Sequence, residues 1–98
     1  MPDKLTDDER GDHLSAMKDA GWSHDTDRDA ISKTFKFDDF EQAFAFMTRV
    51  APIADGMNHH PEWRNVYNTV EVELSSHDLG GVSQLCVELA AAMDAAAG

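Results

Sequence analysis

Ninety-eight residues are enough for one domain and one hydrophobic core. A hydrophobic content of 42%, with five Phe, two Trp and five Met, can fill that core and excludes disorder as the ground state. Nineteen acidic against eight basic residues give a formal charge of −11, a field that repels phosphate backbones and anionic headgroups, so neither nucleic acid nor a membrane is an expected partner.

The first helix signal is Thr6-Asp7-Asp8-Glu9, a capping box whose acids complement the positive helix end. Leu14 and Met17 then share a face, Gly21 supplies a left-handed stop, and Trp22 follows as a hydrophobic clasp. The run Asp25 to Asp29 is a polar turn between two short strands. In the second strand Ile31, Phe35 and Phe37 have one parity, which Lys33 breaks chemically. Asp38 through Glu41 repeats the cap pattern, with Asp38 as the cap.

Phe40, Phe44, Met47, Ala51 and Ala54 follow at spacings of four, three, four and three, an apolar helical stripe that Ala43 and Val50 widen. Pro52 clashes with the carbonyl of Thr48, so the last turn is expected to kink or loosen. After Pro61 the period becomes two. A tight turn is expected at Tyr67-Asn68-Thr69-Val70, centred on Asn-Thr. Val70, Val72, Leu74 and Ser76 then face one side of a strand, and Glu71, Glu73, Ser75 and His77 the other. Gly80-Gly81 ends that strand, and a last helix capped by Ser83 buries Leu85, Leu89 and Met93. The expected architecture is α+β, in the order α-β-β-α-β-β-α, with a four-stranded antiparallel sheet and three helices packed on one face. Residues 1–98 read as a single domain, with 1–4 poorly ordered. The N-terminus has no apolar signal region, no run approaches the ~20 apolar residues of a membrane span, and the single Cys86 forms no internal disulfide. These features suit a cytoplasmic protein.

The chemistry is concentrated in Asn58-His59-His60-Pro61-Glu62-Trp63, with His77 eighteen residues after His59. Pro61 holds His60 in extended backbone, so the two neighbouring rings point apart and take different jobs. A lone histidine at a strand end is ordinarily a surface residue. Three in one set suggest proton transfer, because free imidazole titrates near neutrality and can give or take a proton there. Metal ligation is the competing use, but diverging neighbours chelate poorly and no Cys or carboxylate stands at zinc-site spacing, so no metal is expected. Cys86 lies in an apolar helical pattern, where buried thiols are usually inert. Trp22, Trp63 and Tyr67 could stack on a flat heterocycle, although aromatics beside strands are more often core.

From Gly21 to Ser83 the sequence resembles the pterin-4a-carbinolamine dehydratase family, above all in Phe44 to Ala51, Asn58 to Trp63, and His77. The family pattern is a charged residue, three positions, His-His-Pro, an aromatic, then nine positions and a His. Asp55, His59, His60, Pro61, Tyr67 and His77 match it at the family spacings. The pattern ordinarily ends in an Asp, and here Cys86 occupies that place. The loss removes a capping-box partner for Ser83 and, if the family carboxylate orients a catalytic group, lowers activity.

The resemblance implies dehydration of 4a-hydroxytetrahydrobiopterin to quinonoid dihydropterin and water, a step in recycling the pterin. It implies His59 and His77 as acid/base catalysts with His60 assisting, and His60, Pro61, Trp63 and Ser76 as substrate-binding residues. No cofactor is implied. Family members form homodimers or homotetramers, and the final helix, Leu85 to Ala97, is a candidate contact. The alternative reading is a non-catalytic dimerisation or protein-binding scaffold of the same fold.

Overall fold

A computed structural model of the chain describes residues 7–75 and 82–97, with side chains described from residue 11 onward. The expected cap Thr6, the stretch 1–4 expected to be poorly ordered, Ser76, His77 and Gly80-Gly81 lie outside the described residues. The elements are α1 (Asp7–Asp19), β1 (Ser23–Asp25), β2 (Ala30–Lys36), α2 (Phe40–Gly56), β3 (Glu62–Val66), β4 (Thr69–Leu74) and α3 (Gln84–Ala97). The four strands form one antiparallel sheet in the order β1-β2-β4-β3, and the fold is α+β as expected.

Helix α1 closes as its sequence requires. Gly21 has φ +99°, its N–H donates to the carbonyl of Lys18 at 3.0 Å, and the N–H of Trp22 donates to that of Met17 at 2.9 Å. That pair of bonds is a Schellman motif, and the accompanying hydrophobic contact is between Trp22 and Met17, both buried. The β1–β2 turn is stitched by Asp25, whose Oδ1 accepts from the backbone N–H groups of Asp27 and Arg28. Lys33 has the parity of the core face, and its Nζ lies 5.9 Å from the Trp22 ring centroid and 5.0 Å from that of Phe35. Its Nζ reaches Asp94 Oδ1 at 2.7 Å and the Ala20 carbonyl at 2.6 Å. The lysine in the apolar row is a tie between sheet and α3.

Helix α2 departs from the expected phase. The cap is Asp39, one residue later than expected, accepting from the N–H of Gln42 at 2.9 Å. Its buried residues are Ala43, Phe46, Val50 and Ala54, while Phe40 and Phe44 are 50% and 54% exposed and stack on each other. The helix is apolar on more than one side, so spacing alone fits two faces. Contact with the sheet side decides for Phe46, whose ring packs at 4.8 Å from Phe35 and 5.1 Å from Phe37. Pro52 does not end the helix, which runs on to Gly56.

The hairpin between β3 and β4 is centred on Tyr67-Asn68, one residue earlier than expected, because Val66 pairs with Thr69. Tyr67 has φ +50°, and the turn is braced by Asn65, whose Nδ2 donates to the carbonyls of Tyr67 and Thr69. On β4, Val70, Val72 and Leu74 are buried as the alternation predicts. In α3 the buried row is Cys86, Val87, Leu89, Ala90 and Met93. Leu85 is only partly buried, because the helix turns Cys86 toward the core in its place. No helix among the described residues is long and apolar enough to cross a membrane.

Candidate active site

The end of α2 places the two neighbouring histidines. Asn58 takes a left-handed backbone, φ +52°, and its N–H donates to the Asp55 carbonyl at 3.0 Å. The N–H of His59 donates to the Ala54 carbonyl at 3.1 Å. This is a second Schellman motif, with asparagine in the position that glycine most often fills. The hydrophobic contact that accompanies such a motif falls here between Ala54 and His59, both buried. The helix terminus thus draws the His59 ring inward. The next residue, His60, precedes Pro61 and is exposed, as divergence of neighbouring side chains requires.

His59 is 7% exposed, and its Nε2 lies 3.4 Å from Cys86 Sγ on α3. Ser83 Oγ lies 3.7 Å from the same sulfur, so a hydroxyl, a thiol and an imidazole form one buried polar row. With the thiol against Nε2, Nδ1 is the ring nitrogen left for other contacts. His60 Nε2 stands 3.3 Å from Asp55 Oδ1, the two side chains being 62% and 84% exposed, an arrangement worth little to stability in water. Pro61 is partly buried, and Trp63 packs partly against the core, opposite Val72. Tyr67 is 62% exposed at the hairpin tip. Trp22 is a core residue whose Nε1 donates to Asp94 Oδ2 at 3.0 Å. Expected site residues His77 and Ser76 lie outside the described residues.

A groove of about 680 Å³ runs over the open face of the sheet, among Glu62, Trp63, Arg64, Glu71 and Glu73. Glu62 and Glu73 are direct cross-strand neighbours, and Arg28 offsets that like-charge pair by donating to Glu73 Oε2 at 2.6 Å. Arg64 and Glu71, also paired across the strands, are bonded to each other. No group of three His, Cys, Asp or Glu among the described residues is placed to hold a metal ion.

Sequence reasoning missed two parts of this site. One is Asn58, whose signal is an asparagine directly after a helical pattern. The other is the contact of Cys86 with His59, which no spacing reveals because 27 residues separate them.

The model of the family described as pterin 4 alpha carbinolamine dehydratase matches residues 3–96. A protein from Bradyrhizobium diazoefficiens is 56% identical over 97 residues, covering 99% of this chain and 95% of its own, and another from Dinoroseobacter shibae is 54% identical over 94 residues, covering 96% and 97%. Both carry the provisional name pterin-4-alpha-carbinolamine dehydratase. A crystal structure from Brucella melitensis, described as a transcriptional coactivator/pterin dehydratase, superimposes with a TM-score of 0.88 at 43% identity, covering 98% of this chain and all of that one. A pterin dehydratase-like protein described as a RuBisCO assembly factor of the alpha-carboxysome matches with a TM-score of 0.69 at 25% identity, covering 80% and 90%. With its fold, its paired histidines and its sequence all in agreement, the chain belongs to the pterin 4 alpha carbinolamine dehydratase family.

Proposed function

We propose that this protein dehydrates 4a-hydroxytetrahydrobiopterin to quinonoid dihydropterin and water by histidine acid/base catalysis. One imidazolium delivers a proton to the 4a-hydroxyl, the carbon–oxygen bond breaks, and water leaves. A neutral imidazole takes the proton from the ring N–H, whose electrons close the new double bond. The protons balance, and neither a metal nor an organic cofactor is required. His59 and His77 take these two roles. His60 binds and orients the pterin, with Pro61, Trp63 and Ser76 completing the pocket.

The observation that carries this reading is the division of labour at the end of α2. His59 is buried with Nε2 against a thiol, leaving Nδ1 for proton transfer, while His60 points outward beside Asp55. A fixed, desolvated ring suits a group that must meet a substrate atom in one geometry, and an exposed ring suits capture. In a stopped-flow assay with synthetic carbinolamine, His59→Ala and His77→Ala are each expected to slow dehydration by ~10²–10⁴-fold, with a bell-shaped pH dependence in the parent protein. Parent rates in both variants overturn the assignment.

The scaffold reading has one observation in its favour. The large apolar side chains Phe40 and Phe44 stand exposed on the first turns of α2 and pack on each other. A second copy of the chain, as homodimer or homotetramer, is the expected partner for such a surface. It suits that role better than α3, whose apolar row is already in the core. A pure scaffold neither binds the pterin in a calorimetric titration nor speeds its dehydration.

A further inference from the structure

We propose that Cys86 is a positioning residue for His59: its sulfur accepts from the Nε2–H and so leaves the lone pair of the neutral ring on Nδ1. The inference rests on the dehydratase reading above, in which His59 moves a proton. Cys86 is fully buried in the first turn of α3, and its Sγ lies 3.4 Å from His59 Nε2, a hydrogen-bond distance given the size of sulfur. That contact is the one hydrogen bond of the ring among the described residues. No buried side-chain nitrogen or oxygen among them lacks a partner, so Nδ1, which has none there, is the ring nitrogen open to a substrate.

A neutral imidazole carries one hydrogen, and the partner of one nitrogen decides which of the two holds it. Two arrangements fit the distance. If the thiol donated to Nε2, the ring hydrogen would sit on Nδ1, and that atom could accept nothing from a substrate. If the sulfur accepts, Nδ1 is bare in the neutral ring and can take a proton, then give it up. Ser83 favours the second arrangement. Its Oγ lies 3.7 Å from the same sulfur and gives the thiol hydrogen an oxygen to bond. The row then runs from Nε2–H to Sγ–H to Oγ, each group donating to the next, and bonds in such a row strengthen one another. When Nδ1 gains a proton the bond from Nε2–H to sulfur is unchanged, so the ring has no cause to turn during the reaction. The backbone beneath it is held as well, because the His59 N–H is bonded to the Ala54 carbonyl. Sulfur does this without placing a charge in a fully buried position. Removing the partner that orients a metal-bound histidine typically costs ~10–100-fold, and the orienting effect is the same here.

Two variants separate positioning from packing. Cys86→Val removes the acceptor and keeps the bulk of the side chain, whereas Cys86→Ser keeps an acceptor with a hydrogen for Ser83. In the stopped-flow assay Cys86→Val is expected to lower kcat ~10–100-fold with KM within ~3-fold of the parent, and Cys86→Ser to recover most of the loss. In a His59→Ala background the same Cys86→Val change is expected to lower kcat no further, because it acts through the ring. The second readout needs no activity. In the ligand-free parent, ¹H–¹⁵N imidazole spectra are expected to show neutral His59 with its hydrogen on Nε2. In Cys86→Val that ring is expected to populate both forms, while the signals of exposed His60 stay in place. A parent ring with its hydrogen on Nδ1 overturns the proposal, and so does a Cys86→Val variant that keeps the parent's His59 signals. In an active parent, an unchanged kcat in Cys86→Val, or an equal loss with and without His59, overturns it and leaves the dehydratase reading standing. An inactive parent overturns that reading, and the ring signals then decide the positioning claim alone. If Cys86→Val does not fold, Cys86→Ala carries the same comparison, and the place of the hydrogen in the parent needs no variant at all.

Discussion

Asn58 has φ +52°, a conformation in which a β-carbon crowds the following carbonyl and which only glycine and, less readily, asparagine and aspartate adopt routinely. Both histidines depend on that one dihedral, because it lets the His59 N–H turn back to the Ala54 carbonyl and sends the chain toward Pro61. Asn58→Ala is therefore expected to destabilise the protein by about 1–2 kcal/mol, read as a lowered urea midpoint at constant slope, whereas Asn58→Gly stays within about 0.5 kcal/mol of the parent. The same reasoning applies to the sulfur beside His59. Cys86 is fully buried, so a charged side chain there must be paired or neutralised, while a thiol sits at little desolvation cost.

At the scale of an element, α2 shows how an apolar pattern can be clear in period and ambiguous in phase. Phe40, Phe44 and Phe46 are chemically equal candidates for the core, and only Phe46 is completely buried. Deleting it removes a ring packed against Phe35 and Phe37, so Phe46→Ala is expected to cost about 3–5 kcal/mol. Phe44→Ser, on the exposed face, is expected to stay within about 0.5 kcal/mol in dilute monomer. Chemical denaturation of the two variants side by side checks the phase directly, and equal losses would refute it. The alternating strands carry no such ambiguity, because a period of two leaves only two faces. In β4 the valines and Leu74 all took the core face.

At the scale of the whole molecule, Asp94 joins elements that are distant in sequence. Its Oδ2 accepts from Trp22 Nε1 at 3.0 Å and its Oδ1 from Lys33 Nζ at 2.7 Å, linking α3 to the end of α1 and the middle of the sheet. The Lys33 and Asp94 side chains are only 21% and 26% exposed, so removing the carboxylate leaves a cation and an indole N–H short of their partner in a partly dry site. Asp94→Ala is expected to destabilise the fold by about 2–3 kcal/mol by thermal melting, with Trp22 fluorescence reporting the change locally.

The sequence alone determined the order of elements, the alternation of β4, the glycine stop at Gly21 and the separation of His59 from His60. Each of these follows from local physics: parity, a left-handed dihedral, or the constraint that proline imposes on its predecessor. The resemblance to the family was equally legible, because it rests on spacings along the chain. Tertiary structure alone decided which face of α2 is buried, why a lysine stands in the core row of β2, and that Cys86 meets His59. These features are set by which surfaces meet, and contacts between residues 27 to 61 positions apart leave no period or spacing in the sequence.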